Sequence, residues 1–189
     1  MDLRRTLLLF SFIFTGSLAI AQPKDRWTIQ DGGAIRWSIN DNIPHDDHLE
    51  MSGQQLSVVL RYGVDAQKRF HLNRSLVFPM LRMHPNKTQN NLKQRFDVNI
   101  PALVTVDDQT LLNEEVRDVT FNGIMRVESS FGYIYRRKEL KDAVQLTRVL
   151  YPSTNAAHYC EEYTFKNSSP NQITLRVPEW NVTYTTPEE

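Results

Sequence analysis

The densest run of side chains able to do chemistry is Pro44-His45-Asp46-Asp47-His48-Leu49-Glu50, with two imidazoles and three carboxylates within six positions. Imidazole nitrogen and carboxylate oxygen are both ordinary ligands of a divalent ion, so His45 and His48 form a weak metal candidate. The run sits in the polar segment 40–53 and reads as an irregular loop, in which side-chain directions are unset. Its spacing matches no short zinc motif, and a hydrogen-bonded loop is the simpler reading.

Hydrolysis of a glycosidic bond needs two carboxyl groups roughly 5–10 Å apart across the scissile bond. The adjacent pairs Glu114-Glu115 and Glu161-Glu162 do not supply this from a strand, because successive side chains point to opposite faces. Each carboxylate is expected to be solvated or paired across strands, and pairs drawn from distant segments stay open. No Gly-x-Ser-x-Gly elbow, phosphate loop or dinucleotide fingerprint occurs, and no cofactor is implied. Trp27, Trp37 and Trp180, with Tyr62, Tyr133 and Tyr135, offer rings that could stack on sugars. Several share the inward parity of a strand, where core packing is the expected role; Trp27 and Trp180, nearest the ends, are the candidates for ligand contact.

The elements that must position these groups are strands. Ile35, Trp37 and Ile39 alternate with polar residues, and Leu56, Val58, Leu60, Tyr62 and Val64 give the longest clean alternation of the first half. Asp65 to Lys68 turns the chain into a return through Phe70, Leu72 and Leu76. A polar stretch, 84–91, is expected as a long loop, and Phe96, Val98 and Ile100 resume the two-residue period before Leu103-Val104-Thr105-Val106. Asn122-Gly123, between Val119-Phe121 and Met125-Tyr135, is a strong hairpin signal. Arg136 to Asp142 reads as a charged, solvated connection. Further on, Tyr159, Tyr163 and Phe165 share one parity with Glu161 as the single interruption, and Ile173, Leu175 and Val177 alternate after Asn167-Ser168-Ser169-Pro170-Asn171. These last two runs predict an antiparallel hairpin, and Trp180 to Thr186 still reads as strand. Ten or so short strands without an amphipathic helix predict an all-β fold, an antiparallel β-sandwich.

The 189 residues suit one domain, and 22 Lys and Arg against 22 Asp and Glu give neither a basic field for nucleic acid nor an acidic tail. A single cysteine, Cys160, excludes an intrachain disulfide framework and a cysteine-rich zinc site; it is expected as a small buried residue. Residues 1–21 form a separate unit. Arg4 and Arg5 precede the apolar run 7–14, and Ala19-Ile20-Ala21 supplies small residues before a cut at Gln22. We therefore expect a signal peptide over 1–21 and one β-sandwich domain over 22–189, secreted or periplasmic, with no membrane association after cleavage.

Several phrases resemble a known family. Ile35-Arg36-Trp37-Ser38-Ile39, the segment Ile43 to Gly53, Val58 to Val64 and Leu76 to Arg82 are similar to the amino-terminal region of exported bacterial six-hairpin glycosidases, and Leu146 to Ser153 with Glu162 to Asn167 resembles its closing hairpins. The resemblance implies a supersandwich-like β-sandwich that precedes, and packs on, an (α/α)6-barrel catalytic domain. In that family the acid and base come mainly from the barrel, none of which is present in this sequence, so no catalytic residue carries over and the chain is expected to be a fragment or a stand-alone remnant. It also implies a role for His45, Asp46, Asp47, His48 and Glu50 in ordering a neighbouring domain or contacting sugar.

Three functions follow as expectations. The first is a non-catalytic exported accessory of polysaccharide breakdown that packs on a glycosidase domain. The second is a free-standing carbohydrate-binding module with a glycan as partner, and the third a weak hydrolase using the His45–Glu50 loop.

Overall fold

The computed structural model describes residues 26–39, 44–78 and 93–183. The expected signal peptide, the loop 84–91 and the stretch 184–186 lie outside them. Thirteen strands and one 3-10 turn, Ile100–Leu103, occur among the described residues, with no α-helix. The all-β, antiparallel sandwich expected from the two-residue period is what forms.

The larger sheet has six strands in the order β1 (Thr28–Ile29), β2 (Ile35–Ser38), β9 (Leu112–Phe121), β10 (Met125–Tyr135), β11 (Lys138–Pro152) and β12 (Tyr159–Asn167). A four-stranded sheet runs β3 (His45–Ser52), β4 (Ser57–Val64), β5 (Phe70–Val77) and β6 (Lys93–Phe96). A small third sheet has the order β13 (Leu175–Arg176), β7 (Thr105–Val106), β8 (Gln109–Thr110).

The turns explain much of this order. Asn122-Gly123 closes the β9–β10 hairpin as its dipeptide predicts, with Gly123 at φ 90°. Arg136 and Arg137 close the next hairpin at φ 48° and 67°, the paired left-handed geometry that matches strand twist. The expected solvated connection over 136–142 is therefore a two-residue turn followed by strand. Pairing of Tyr135 with Lys138, Ile134 with Glu139 and Tyr133 with Leu140 outweighs the charged composition.

Four further expectations are corrected. The 45–50 run is no loop but strand β3, paired along its whole length with β4. The run 173–177 does not fold back on β12; Leu175 and Arg176 pair with Val106 and Thr105 instead. Its link is held to the neighbouring strand, because the Ser168 and Ser169 N–H groups both donate to the Ala143 carbonyl, and the Thr174 N–H then donates to Asp107 Oδ1 at 2.8 Å. Residues 180–183 form no strand, and the period at Phe96, Val98 and Ile100 ends in the 3-10 turn after β6 stops at Phe96.

Two apolar clusters share the inner face of the large sheet. Against the four-stranded sheet, Trp37, Val116, Val119, Met125, Val127 and Leu150 meet Val58, Leu60, Tyr62 and Val64. Toward the small sheet, Phe131, Tyr133, Val144 and Leu146 meet Val106. Full burial of each such side chain contributes about 1.5–3 kcal/mol. The two clusters meet along a polar seam. Arg148 lies between Leu146 and Leu150 on β11, Ser129 between Val127 and Phe131 on β10, and Glu161 between Tyr159 and Tyr163 on β12.

Candidate functional site

The burial of β3 alternates residue by residue, so the candidates of the 45–50 run separate onto two faces. His45 and Asp47 point toward the interior with Leu49 and Met51; Asp46, His48 and Glu50 point to solvent. His45 and His48 thus cannot close on one ion, and among the described residues no group of three or more His, Cys, Asp and Glu could hold a metal. Two-residue alternation was present at His45, Asp47, Leu49 and Met51, but polar side chains at two inward positions masked it.

His45 packs edge-on against Trp37 at 4.9 Å between ring centres, and the Arg26 guanidinium donates to its Nδ1. Its Nε2 lies 3.4 Å from Asp47 Oδ2 yet makes no aligned hydrogen bond. Trp27 joins the same group, tilted at 6.0 Å from Trp37. On the outer face, Asp46 and His71 meet at 2.6 Å across Gly63, which lies between them in the pairing of β3, β4 and β5. A Cβ on Gly63 would stand 2.2 Å from Asp46 Oδ1, so this pair exists because position 63 has no side chain.

The buried charges lie elsewhere. Arg148 binds Glu114 through two hydrogen bonds, 2.5 and 2.9 Å, and stacks its guanidinium over Phe70. Arg74 binds both oxygens of Glu161, donates to the Val98 carbonyl at 3.1 Å and lies over the Phe96 ring. Tyr163 donates its hydroxyl to the same Glu161 oxygen that receives Arg74 Nη2. The neighbours on the opposite face are paired too, Glu115 with Lys68 and Glu162 with the Tyr151 hydroxyl. Glu161 and Glu162 separate as strand alternation predicts, whereas Glu114 and Glu115 both border one cleft.

A wide polar cleft of about 740 Å³ borders Glu114, Glu115, Ser130 and Asp142. The Ser130 hydroxyl donates to Asp142 at 2.5 Å and Arg117 lies 3.1 Å away, which together hold the Asp142 carboxyl below the usual range. With Glu114 bound to Arg148 and Asp142 bound to Ser130 and Arg117, these carboxylates are engaged in structural pairs.

A second concavity, about 370 Å³, is lined by Leu76, Phe96, Ile100, Tyr159, Glu161 and Tyr163. It lies where both sheets end in edge strands, β6 and β12. Trp180 tilts against Phe96 at 5.4 Å and is 40% exposed. The Tyr159 hydroxyl is buried beside Glu161 and Arg74. Burial, then the nearby Glu161 charge, push both Tyr159 and Tyr163 well above the ordinary tyrosine range.

Trp180 is therefore the one candidate residue of the sequence that borders this groove, and Trp27 belongs to a separate ring group. Sequence reasoning missed Arg74, Phe96, Tyr159, Glu161 and Tyr163 as a set. One signal was visible, since Glu161 breaks the inward parity of an aromatic strand and Arg74 does the same between Leu72 and Leu76. Cys160, expected to be buried, is half-buried and free. No family model, no curated protein and no solved structure matches this chain.

Proposed function

We propose that the chain is a non-catalytic, exported β-sandwich accessory of bacterial polysaccharide breakdown that packs on a glycosidase catalytic domain. The observation that carries this reading is the exposure of Val177, Trp180 and Val182, at 60%, 40% and 46%, along a strand-free stretch. Apolar side chains gathered in one short stretch gain nothing from water and gain a good deal under a partner. The resemblance to the amino-terminal sandwich of six-hairpin glycosidases supplies the class of partner, a helical barrel, and the amino-terminal apolar run supplies the compartment. The non-catalytic part rests on the carboxylates. Glu114, Glu115, Glu161, Glu162 and Asp142 each bind a basic or hydroxyl neighbour, which engages them in structural pairs.

Calorimetric titration of the purified chain with a helical-barrel glycosidase domain of the resembled type tests the reading. Saturable binding that is lost when Val177→Asp and Val182→Asp are combined is the expected result. Absence of any binding overturns the packing role, and glycan turnover that disappears on replacing one of this chain's own carboxylates overturns the non-catalytic one.

A further inference from the structure

We propose that two copies of this chain pair edge to edge along β12, antiparallel about a two-fold axis at Thr164, so that their six-stranded sheets continue as one. The proposal goes beyond packing on a catalytic domain and rests on the backbone of β12 with Glu162, Thr164 and Lys166.

β12 is the last strand of the six-stranded sheet and pairs only with β11 among the described residues. The ends of that ladder show which of its backbone groups stay free. The Ser153 N–H donates to the His158 carbonyl and the Ser168 N–H to the Ala143 carbonyl, both in register with the strands between them. Antiparallel partners alternate between bonded and non-bonded pairs. The even positions from Cys160 to Lys166 therefore turn their backbone groups toward β11. Tyr159, Glu161, Tyr163, Phe165 and Asn167 turn theirs outward, where they meet no backbone partner among the described residues.

The other sheet edges are blunted. β1 has two residues and β6 four, and on β3 the Asp47 carboxylate takes the outward His48 N–H at 2.7 Å. A nine-residue edge without such a device is a template for another strand.

The side chains of β12 point to its own copy as that strand. Outward backbone groups must meet outward groups, which allows a central self-pairing about Glu162, Tyr163 or Thr164. An axis at Glu162 sets that carboxylate against itself, and one at Tyr163 sets Lys166 against Cys160 and Glu161 against Phe165. An axis at Thr164 brings Glu162 opposite Lys166 on both sides of it, with Thr164 facing Thr164. All three side chains are exposed, and they fall at non-bonded pairs, where cross-strand neighbours approach most closely. On the inner face the half-buried rings of Tyr163 and Phe165 become cross-strand partners. A foreign strand would need this same charge order in the reverse direction, which the chain itself already carries.

Sedimentation equilibrium of the purified chain over a concentration series is expected to show monomers and dimers in exchange. Glu162→Lys brings like charges together at two places and should weaken the dimer about tenfold or more; adding Lys166→Glu restores opposite charges and should recover most of the loss. Both variants lack the hydrogen bond from the Tyr151 hydroxyl to Glu162, so recovery isolates the charge pairing. Oxidative cross-linking in a Cys160→Ser background reads the register. Thr164→Cys should give a covalent dimer, since non-bonded partners stand about 4.5 Å apart at Cα, within the roughly 4.4–6.8 Å of a disulfide. Lys166→Cys should not, because its copies lie roughly 13 Å apart along the strands. A chain that stays monomeric throughout, assemblies larger than a dimer, a dimer indifferent to Glu162→Lys, no recovery with the exchanged charges, or preferential cross-linking through Lys166→Cys overturns the proposal. Binding of a helical-barrel domain through Val177 and Val182 is read in a separate titration, so either reading can fail without the other.

Discussion

Arg74 and Glu161 join the two main sheets through the interior: Arg74 is on β5 of the four-stranded sheet, Glu161 on β12 of the six-stranded one, and Nη2 donates to Oε2 at 2.8 Å. Their side chains are only 3% and 9% exposed. A pair this dry is weak evidence of net stabilisation, since desolvating both charges offsets most of their attraction; losing one partner is a different matter. Glu161→Gln should cost about 3–5 kcal/mol, because it leaves the guanidinium buried without a counter-charge. Arg74→Met combined with Glu161→Leu should be less destabilised than either single variant. Urea denaturation of the parent, Arg74→Met, Glu161→Leu and the double variant checks this, and costs that simply add would show that the two residues act independently.

The raised tyrosines make an alkaline prediction. A tyrosine whose folded pKa exceeds its unfolded value of about 10 holds its proton in the folded state after the unfolded chain has released it. Protons bound to the folded state alone mean that stability is intact below about pH 10 and declines as pH rises beyond it. Tyr62, Tyr159 and Tyr163 all shift in this direction, Tyr62 through burial and then the Asp47 charge. Thermal melts should show a falling midpoint above about pH 10, with tyrosinate absorbance appearing together with unfolding. Tyr159→Phe should reduce the slope, and an unchanged slope would mean that Tyr159 ionises freely in the folded chain.

Two glycines predict opposite tolerances. A Cβ on Gly63 would meet the ends of the Asp46 and His71 side chains, both exposed and able to swing aside. Gly63→Ala should therefore cost about 1 kcal/mol or less, the worth of a surface ion pair. A Cβ on Gly53 would stand 2.0 Å from the backbone oxygen of Ser153, in the β11–β12 turn. That turn also receives the Gln54 N–H on the Thr154 carbonyl and the Gln55 side chain on the Asn155 carbonyl, so it has little room to retreat. Gly53→Ala should cost about 1–3 kcal/mol, and calorimetric melting temperatures of the two variants should separate clearly.

The pattern of these effects reflects what a sequence can carry. Strand β4 and the β9–β10 hairpin were legible because Leu56 to Val64 alternate without interruption and Asn122-Gly123 is a turn in its own right. The fate of Leu175 was not, since its alternation fits a return along β12 as well as a crossing to Val106, and the backbone bonds that decide it come from Ala143 and Asp107. The seam was hidden for a related reason. Glu114 and Arg148 are 34 positions apart and meet across β10 within one sheet, and Arg74 and Glu161 are 87 apart and meet between sheets, so each looked like a lone polar intrusion until strands paired and sheets stacked. On β3 the difficulty was composition, because His45 and Asp47 occupy inward positions normally marked by apolar residues.

The Arg136-Arg137 turn offers a gain in stability. Both residues hold left-handed backbone, φ 48° and 67°, where a Cβ crowds the following carbonyl at about 1–2 kcal/mol per residue. Arg137 is exposed, and the turn is set by pairing of Tyr135 with Lys138. Arg137→Gly relieves the crowding without removing a buried contact. The greater freedom of glycine in the unfolded chain offsets part of that relief, so the expected net gain is about 0.5 kcal/mol. Adding Arg136→Asn should increase it, since asparagine tolerates the left-handed region better than arginine and Asn-Gly is favoured in this turn. Arg136 also lies over the Tyr135 ring at 5.2 Å, an exposed contact of about 0.5–1 kcal/mol that the second substitution gives up. The single variant should therefore account for most of the gain. Urea midpoints of the two variants decide the point: a single variant less stable than the parent would show that the turn is held by the arginine side chains rather than by strand pairing.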